Sequence, residues 1–385
     1  MLTNIFPYYI QPEEILKMSR TTSDLLRLLS IIAVLLIHGS SWGEWQWVRH
    51  HAPSMEVIAA VLTNQLARFC VPVFIFLSGF GLCLKYRKTW LKDSDVIKGA
   101  PKFYAERAYQ IGLPFLIISL SILVLKGKFV DSMTVAGFLQ NLAILWNALY
   151  FQPVIYHFYF FTAILQCYLL FPFVIGLAQK RSAGLLFWFV LLAVELVFCS
   201  PSAGWFASVD RPLPNFPSSS PVYWMFWFYS GMIFAVHSAA IAKAVSKIPA
   251  GVVLFVAAAA FGGLLWEYLF RASYQNDPGY FNHFSRWVVI PYTISVIAVF
   301  VKFDDLIRGF IESRAKLFVF VKAMVGVSFP VYIWHVWLLE MLRKTFLVHG
   351  FFLLCAVLVL VSFAVMLIVD RLLKRPRILR VMIGL

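Results

Sequence analysis

The sequence predicts an all-α integral membrane protein: a bundle of about ten transmembrane helices with both termini cytoplasmic. Three observations predict it. Of 385 residues, 61% are hydrophobic and 13% charged, where soluble domains run at about 45–50% and about 25%. The mean hydropathy is +0.81. Finally, the apolar residues gather into runs on the scale of the roughly 20 residues a helical span needs. A soluble domain, a disordered chain and a disulfide-stapled secreted module are thereby excluded.

The spans are expected at 24–41, 57–84, 108–125, 156–178, 183–200, 221–242, 250–270, 287–302, 320–346 and 350–373. Segment 24–41 is read as a retained first helix. The polar stretch before it is too long and acidic for a signal peptide, and no small-residue cleavage site follows. A further apolar piece, 133–150, carries Gln140, Asn141 and Asn147 and reads better as a re-entrant or interfacial segment. The chain is accordingly divided into a cytoplasmic segment 1–23, one transmembrane domain 24–373 and a basic cytoplasmic tail 374–385.

Orientation follows the basic residues. With the N-terminus inside, 23 of the 33 Lys and Arg fall in cytoplasmic pieces. Counting 133–150 as a span would invert every later loop and spoil that pattern. The net charge of +15 thus reflects membrane topology, and no nucleic-acid partner is expected. The five cysteines (Cys70, Cys83, Cys167, Cys199 and Cys355) lie in apolar segments without a C-x-x-C pair. They read as small buried hydrophobes, neither zinc ligands nor disulfides.

Ionisable groups inside spans are costly and usually face a cavity or a partner. The first helix carries Asp24, Arg27 and His38. Eleven residues separate Arg27 from His38, placing them on one face, roughly 16 Å apart along the axis. Asp24 pairing with Arg27, with His38 a satisfied core imidazole, is the plainer alternative. In the second span, Pro72 should kink the helix, and Ser78-Gly79 lets a ligand or a neighbouring helix approach closely. Arg107 opens the third span level with Arg27, and two guanidiniums at one cytoplasmic mouth suit a phosphate-bearing ligand. On the outer side stand His157, within an aromatic run 156–161, and His335, at nearly the depth of His38. Glu195 and Glu267 are read as rim residues or helix-pair partners. Walker, G-x-G-x-x-G, H-E-x-x-H and G-x-S-x-G patterns are all absent from the sequence, so no ATPase, dinucleotide, zincin or α/β-hydrolase chemistry is supported.

Taken together, these residues carry a resemblance. Asp24-Leu25-Leu26-Arg27 followed by ten residues and His38 resembles the Arg-x10-His signature of the acyltransferase family 3 membrane proteins. Val71 to Phe80 is similar to that family's second helix, and Arg107 with Pro114 to its third. His157-Phe158-Tyr159-Phe160, with Gln166, Tyr168 and Pro172, matches its fourth-helix segment. Ser328 to His335 is like its late S-x-x-[IV]-Y-x-x-H element. Tyr159 stands where Trp is common, and Ala108 follows Arg107 where further basic residues are usual.

The family O-acylates bacterial cell-surface glycans, and the resemblance implies a multi-pass protein of the bacterial inner membrane. It implies acyl-CoA, most often acetyl-CoA, as a donor entering from the cytoplasm, and a glycan or lipid-linked sugar as acceptor. Arg27 and Arg107 would hold CoA phosphates, and Ser78, Gly79 and Phe80 would pass the pantetheine. His38 would act as general base, with His335 or His157 orienting the sugar or stabilising the oxyanion. Tyr332 and Asp24 are further substrate-binding candidates. No metal is expected. The outer loops 42–56, 201–220 and 271–286 would contact the glycan. The alternative from another class is a carrier or exporter using His38, His335, Asp24 and Arg27 as a relay, although no broken-helix pair or repeat symmetry is read in the sequence.

Overall fold

The computed structural model describes residues 18–50, 54–90, 93–129, 134–151, 153–198, 218–272, 283–345, 350–373 and 384. Among these there is no strand. The helices are α1 (Arg20–His50), α2 (Met55–Leu66), α3 (Cys70–Tyr86), α4 (Asp93–Arg107), α5 (Leu113–Leu125), α6 (Val135–Tyr150), α7 (Tyr159–Gln179) and α8 (Arg181–Phe198). They continue as α9 (Met225–Lys247), α10 (Ala250–Glu267), α11 (Val289–Lys302), α12 (Asp304–Glu312), α13 (Ala315–Gly326), α14 (Ser328–Lys344) and α15 (Phe351–Leu372). The protein is an all-α integral membrane protein.

Eight stretches among the described residues are long and apolar enough to cross a bilayer, and α13 with α14 forms a ninth that is bent by 64°. The predicted span 320–346 is therefore two helices. Pro330 cannot donate to the Gly326 carbonyl, and Val327 instead closes a tighter turn onto Met324 at 3.3 Å. The predicted span 287–302 is the 14-residue α11, about 21 Å long and short of a hydrocarbon core of about 30 Å. Helix α6, on the segment set apart as re-entrant or interfacial, has 16 residues and is mostly exposed.

Prolines shape two other spans. Pro72 leaves the Arg68 carbonyl without its helical donor, and the chain tightens into a 3₁₀ turn at Ala67–Phe69 between α2 and α3. Pro114 does the same to the Gln110 carbonyl. Around that residue the backbone widens into a π-helical turn at Ala108–Gly112, where the Leu113 N–H reaches the Ala108 carbonyl. That turn lies immediately after Arg107.

Helix α1 runs through the interior, touching α2, α3, α12, α13, α14 and α15. Its N-terminal turn is fastened from α12 and α13. The Ser19 N–H donates to Asp304 Oδ1 at 2.7 Å, Thr21 Oγ1 donates to Glu312 Oε1 at 2.5 Å, and Lys322 Nζ contacts Asp24 Oδ2. Acidic side chains here satisfy otherwise orphaned donors and suit the positive end of the helix dipole. The most extensive helix pair is α3 with α9. A Cβ on Gly79 would stand 1.9 Å from the Phe228 carbonyl oxygen, and one on Gly231 2.0 Å from that of Phe76.

Two polar residues read near the outer rim are buried, and for Glu195 the helix-pair alternative is the one that holds. Arg286, counted among outer loop residues, is fully buried. It pairs with Glu267 at 3.1 Å and donates to Gln65 Oε1 at 2.7 Å. Glu195 accepts from Trp227 Nε1 of α9 at 3.2 Å, a helix-pair contact. Cys70, Cys83, Cys167 and Cys355 are buried free thiols. Cys199, residues 1–17, the tail 374–383 and most of the loops 201–220 and 271–286 lie outside the described residues.

Candidate active site

The interior holds a cavity of about 100 Å³ whose polar wall is Arg27, Ser78, Arg107, Tyr168, Ser328 and Tyr332. Helical spacing explains how five helices supply it. On α3, Phe74, Ser78 and Leu82 recur every fourth residue and share one face, as do Phe160, Ile164 and Tyr168 on α7. On α14, Ser328, Tyr332 and His335 follow the same four-then-three step, which carries the wall up to an imidazole.

Arg107 closes one end. Its guanidinium lies 5.9 Å from the ring centroids of both Phe103 and Tyr168, 3.9 Å from Glu106 Oε2. Its Nε is buried without a hydrogen-bond partner among the described residues. Ser78 Oγ and the Tyr168 hydroxyl share a hydrogen bond of 2.7 Å. Two guanidiniums and four hydroxyl-bearing side chains on an otherwise apolar wall form a donor set suited to phosphate oxygens and a polar chain.

Beyond Tyr332 three imidazoles cluster. Ring centroids of His38 and His335 are 4.9 Å apart, those of His157 and His335 4.8 Å, and those of His38 and His157 6.2 Å. The Tyr156 hydroxyl meets His38 Nδ1 at 2.9 Å. His335 Nδ1 bonds the Tyr332 carbonyl at 2.7 Å, and since a carbonyl only accepts, Nδ1 carries the proton and Nε2 a lone pair. Among the described residues, His335 Nε2 and both nitrogens of His157 are buried with no hydrogen-bond partner. Such groups are expensive in a dry interior unless a substrate or water meets them. Among the described residues, no group of three or more His, Cys, Asp or Glu is arranged to hold a metal ion.

The structure thus brings Arg27, Arg107, Ser78 and Tyr332 onto one wall, and His38, His157 and His335 into one cluster above it. Gly79 and Phe80 are placed elsewhere. One helical step of about 100° separates Gly79 from Ser78, so Gly79 faces the α9 backbone, and the Phe80 ring packs 5.5 Å from Phe234. Their positions match a helix–helix contact rather than a passage. Asp24 meets Lys322 below the cavity, a partner on α13 that no local spacing announces. Tyr168, named above only within the family motif, and Tyr156, within the aromatic run 156–161, join the site without being candidates for it. Tyr168 could have been found from its four-residue spacing with Phe160 and Ile164, whereas Tyr156 was absorbed into an aromatic belt.

Such a fold and site define a class: a multi-pass α-helical membrane protein with an interior cavity that carries two arginines on its wall and a histidine cluster beyond it. The chain belongs to acyltransferase family 3, whose acyltransferase domain matches residues 21–371. No curated protein matches the chain, and no solved structure does. The protein is a membrane acyltransferase, and family membership favours acyl transfer over the carrier alternative.

Proposed function

We propose that the protein moves an acyl group, acetyl first among candidates, from cytoplasmic acyl-CoA to a hydroxyl of a cell-surface or lipid-linked glycan in the bacterial inner membrane. One observation carries the reading. A guanidinium pair, a cavity and a histidine cluster follow one another along the same interior of an acyltransferase-family chain.

Arg27 and Arg107 receive the CoA phosphates, with Asp24 and Lys322 fixing the helix end beneath Arg27. The pantetheine runs past Ser78 and Tyr168, which brings the thioester toward Tyr332. The Tyr156 hydroxyl occupies His38 Nδ1, so Nε2 serves the substrate. Nε2 takes the proton of the acceptor hydroxyl while its oxygen bonds to the thioester carbonyl carbon, a proton transfer worth about 10²–10⁴-fold. Collapse of the tetrahedral oxyanion breaks the C–S bond, and the CoA thiolate takes the proton back from His38. The lone pair on His335 Nε2 and the imidazole of His157 orient the acceptor.

The test is turnover of isotope-labelled acetyl-CoA by protein in nanodiscs, with a crude envelope-glycan fraction as acceptor. Label should enter glycan, vanish with His38→Ala, and demand about 10- to 100-fold more acetyl-CoA with Arg27→Ala, the loss expected for charged hydrogen bonds. Full transfer by folded His38→Ala protein would remove His38 from the chemistry. Movement of a glycan lipid without CoA would restore the carrier.

A further inference from the structure

Arg343 lies in the last turn of α14, eight residues beyond His335 and so roughly 12 Å further from the donor mouth. The side chain is half-buried and reaches across to α1, where its guanidinium donates to the Gly39 carbonyl at 3.4 Å. Gly39 directly follows His38. The contact is long, and it leaves most of the guanidinium's donors unspent. Among the described residues no carboxylate stands within ion-pair distance of Arg343. Glu340, one turn earlier, is taken by Lys344 at 3.0 Å. The charge of Arg343 acts on both His38 and Tyr156, and that of Arg68 acts on His38 as well. The imidazole therefore sits in the field of two guanidiniums, on the side of the site away from the cavity that Arg27 and Arg107 serve.

A half-desolvated guanidinium that feels Glu340 only at longer range, with no carboxylate in contact among the described residues, is costly in a membrane protein, and a neutral sugar does little to offset that cost. We infer that the outer mouth beside His38 is an anion-reading acceptor subsite, in which Arg343 binds a carboxylate or phosphate carried by the acceptor. The planar fork of arginine fits both groups bidentately. This rests on the acyl-transfer reading of the same site, since it assumes that acceptor and donor approach His38 from opposite ends. The acceptor class it names is an acidic glycan or a sugar phosphate.

The experiment compares methyl glucuronide, methyl glucoside and glucose 1-phosphate as ligands of full-length protein in nanodiscs, by calorimetry, for the native chain, Arg343→Gln and Arg343→Lys. Acetyl-CoA affinity is measured alongside. The native protein should favour at least one anionic sugar over the glucoside by about tenfold. Arg343→Gln should lose the preference, Arg343→Lys should recover part of it, and acetyl-CoA affinity should be the same in all three. Preference for the glucuronide alone identifies a carboxylate-bearing glycan, and preference for glucose 1-phosphate alone identifies a phosphate source. Equal binding of the three sugars by native protein, or a preference that survives Arg343→Gln, overturns the subsite. Sugar preference with no acetyl-CoA binding would count against the acyl-transfer reading and leave the anion contact standing.

Discussion

The hydroxyl of Tyr332 donates to the main-chain carbonyl of His157 at 2.6 Å, tying the upper wall of the cavity to the floor of the histidine cluster. Two helices distant in sequence are thereby locked in register at the point where donor and acceptor would meet. Tyr332→Phe keeps the ring contacts but leaves that carbonyl only the Tyr159 N–H as donor, and loss of one hydrogen bond should cost about 0.5–1.5 kcal/mol. The expected result is a lower melting temperature, with acyl transfer reduced about tenfold through kcat while KM for acyl-CoA stays near the native value. Unchanged kcat would show that this register is irrelevant to the reaction.

Gly79 and Gly262 should respond oppositely to alanine. At Gly79 the new methyl would collide with the Phe228 backbone, while at Gly262 nothing lies within 4 Å. Gly79→Ala must push α3 and α9 apart, an overpacking cost of about 1–3 kcal/mol or more. Gly262→Ala gains helix propensity of about 0.5–1 kcal/mol. Thermal melts in one detergent check the pair, and matching melts would refute the close α3–α9 packing.

The buried Arg286–Glu267 pair offers a third test. Glu267→Gln leaves the guanidinium without its acid and should destabilise by about 3–5 kcal/mol. Replacing both partners, Glu267→Leu with Arg286→Met, should recover much of that loss. The double variant melting below either single one would argue that the pair is itself strongly stabilising.

His283 sets an expectation for pH. It lies outside the spans, bonded through Nδ1 to Ser285 Oγ at 2.5 Å. Burial first, and then the cations Arg68 and Arg286, push it down to about 4. The unfolded chain therefore binds the proton between roughly pH 6.5 and 4 while the folded one does not. Its contribution to stability is complete above the unfolded value and is lost as pH falls across that window. His283→Gln should flatten the acid limb of a melting-temperature profile there. A profile of unaltered steepness would exclude His283 as a source of the slope.

Arg107 is expected to act on donor binding alone. Arg107→Ala should raise KM for acyl-CoA about tenfold and leave kcat within about twofold, with Arg107→Lys intermediate because an ammonium keeps the charge but loses the fork. Loss of kcat at saturating donor would place Arg107 nearer the chemistry than the cavity geometry does.

Composition and run length by themselves determined that this chain is an α-helical membrane protein, because a bilayer leaves few ways to satisfy a backbone. The intramembrane Arg27, His38, His157 and His335 were legible for the same reason, since a charge or imidazole in an apolar run is conspicuous, and Arg107 stood out only as a rim cation level with Arg27. Periodicity even placed Arg27 and His38 on one face. What the sequence could not hold was anything set by contact between distant segments. That Ser78 faces the cavity while Gly79 faces Phe228 depends on which side of α3 meets α9. That Lys322 meets Asp24, that Arg286 is buried and that Tyr156 meets His38 depend on how helices hundreds of residues apart are packed. Such choices are made by close packing and by the need to pair buried polar groups across helices. Neither force leaves a periodic trace in the chain, so only the tertiary structure decided them.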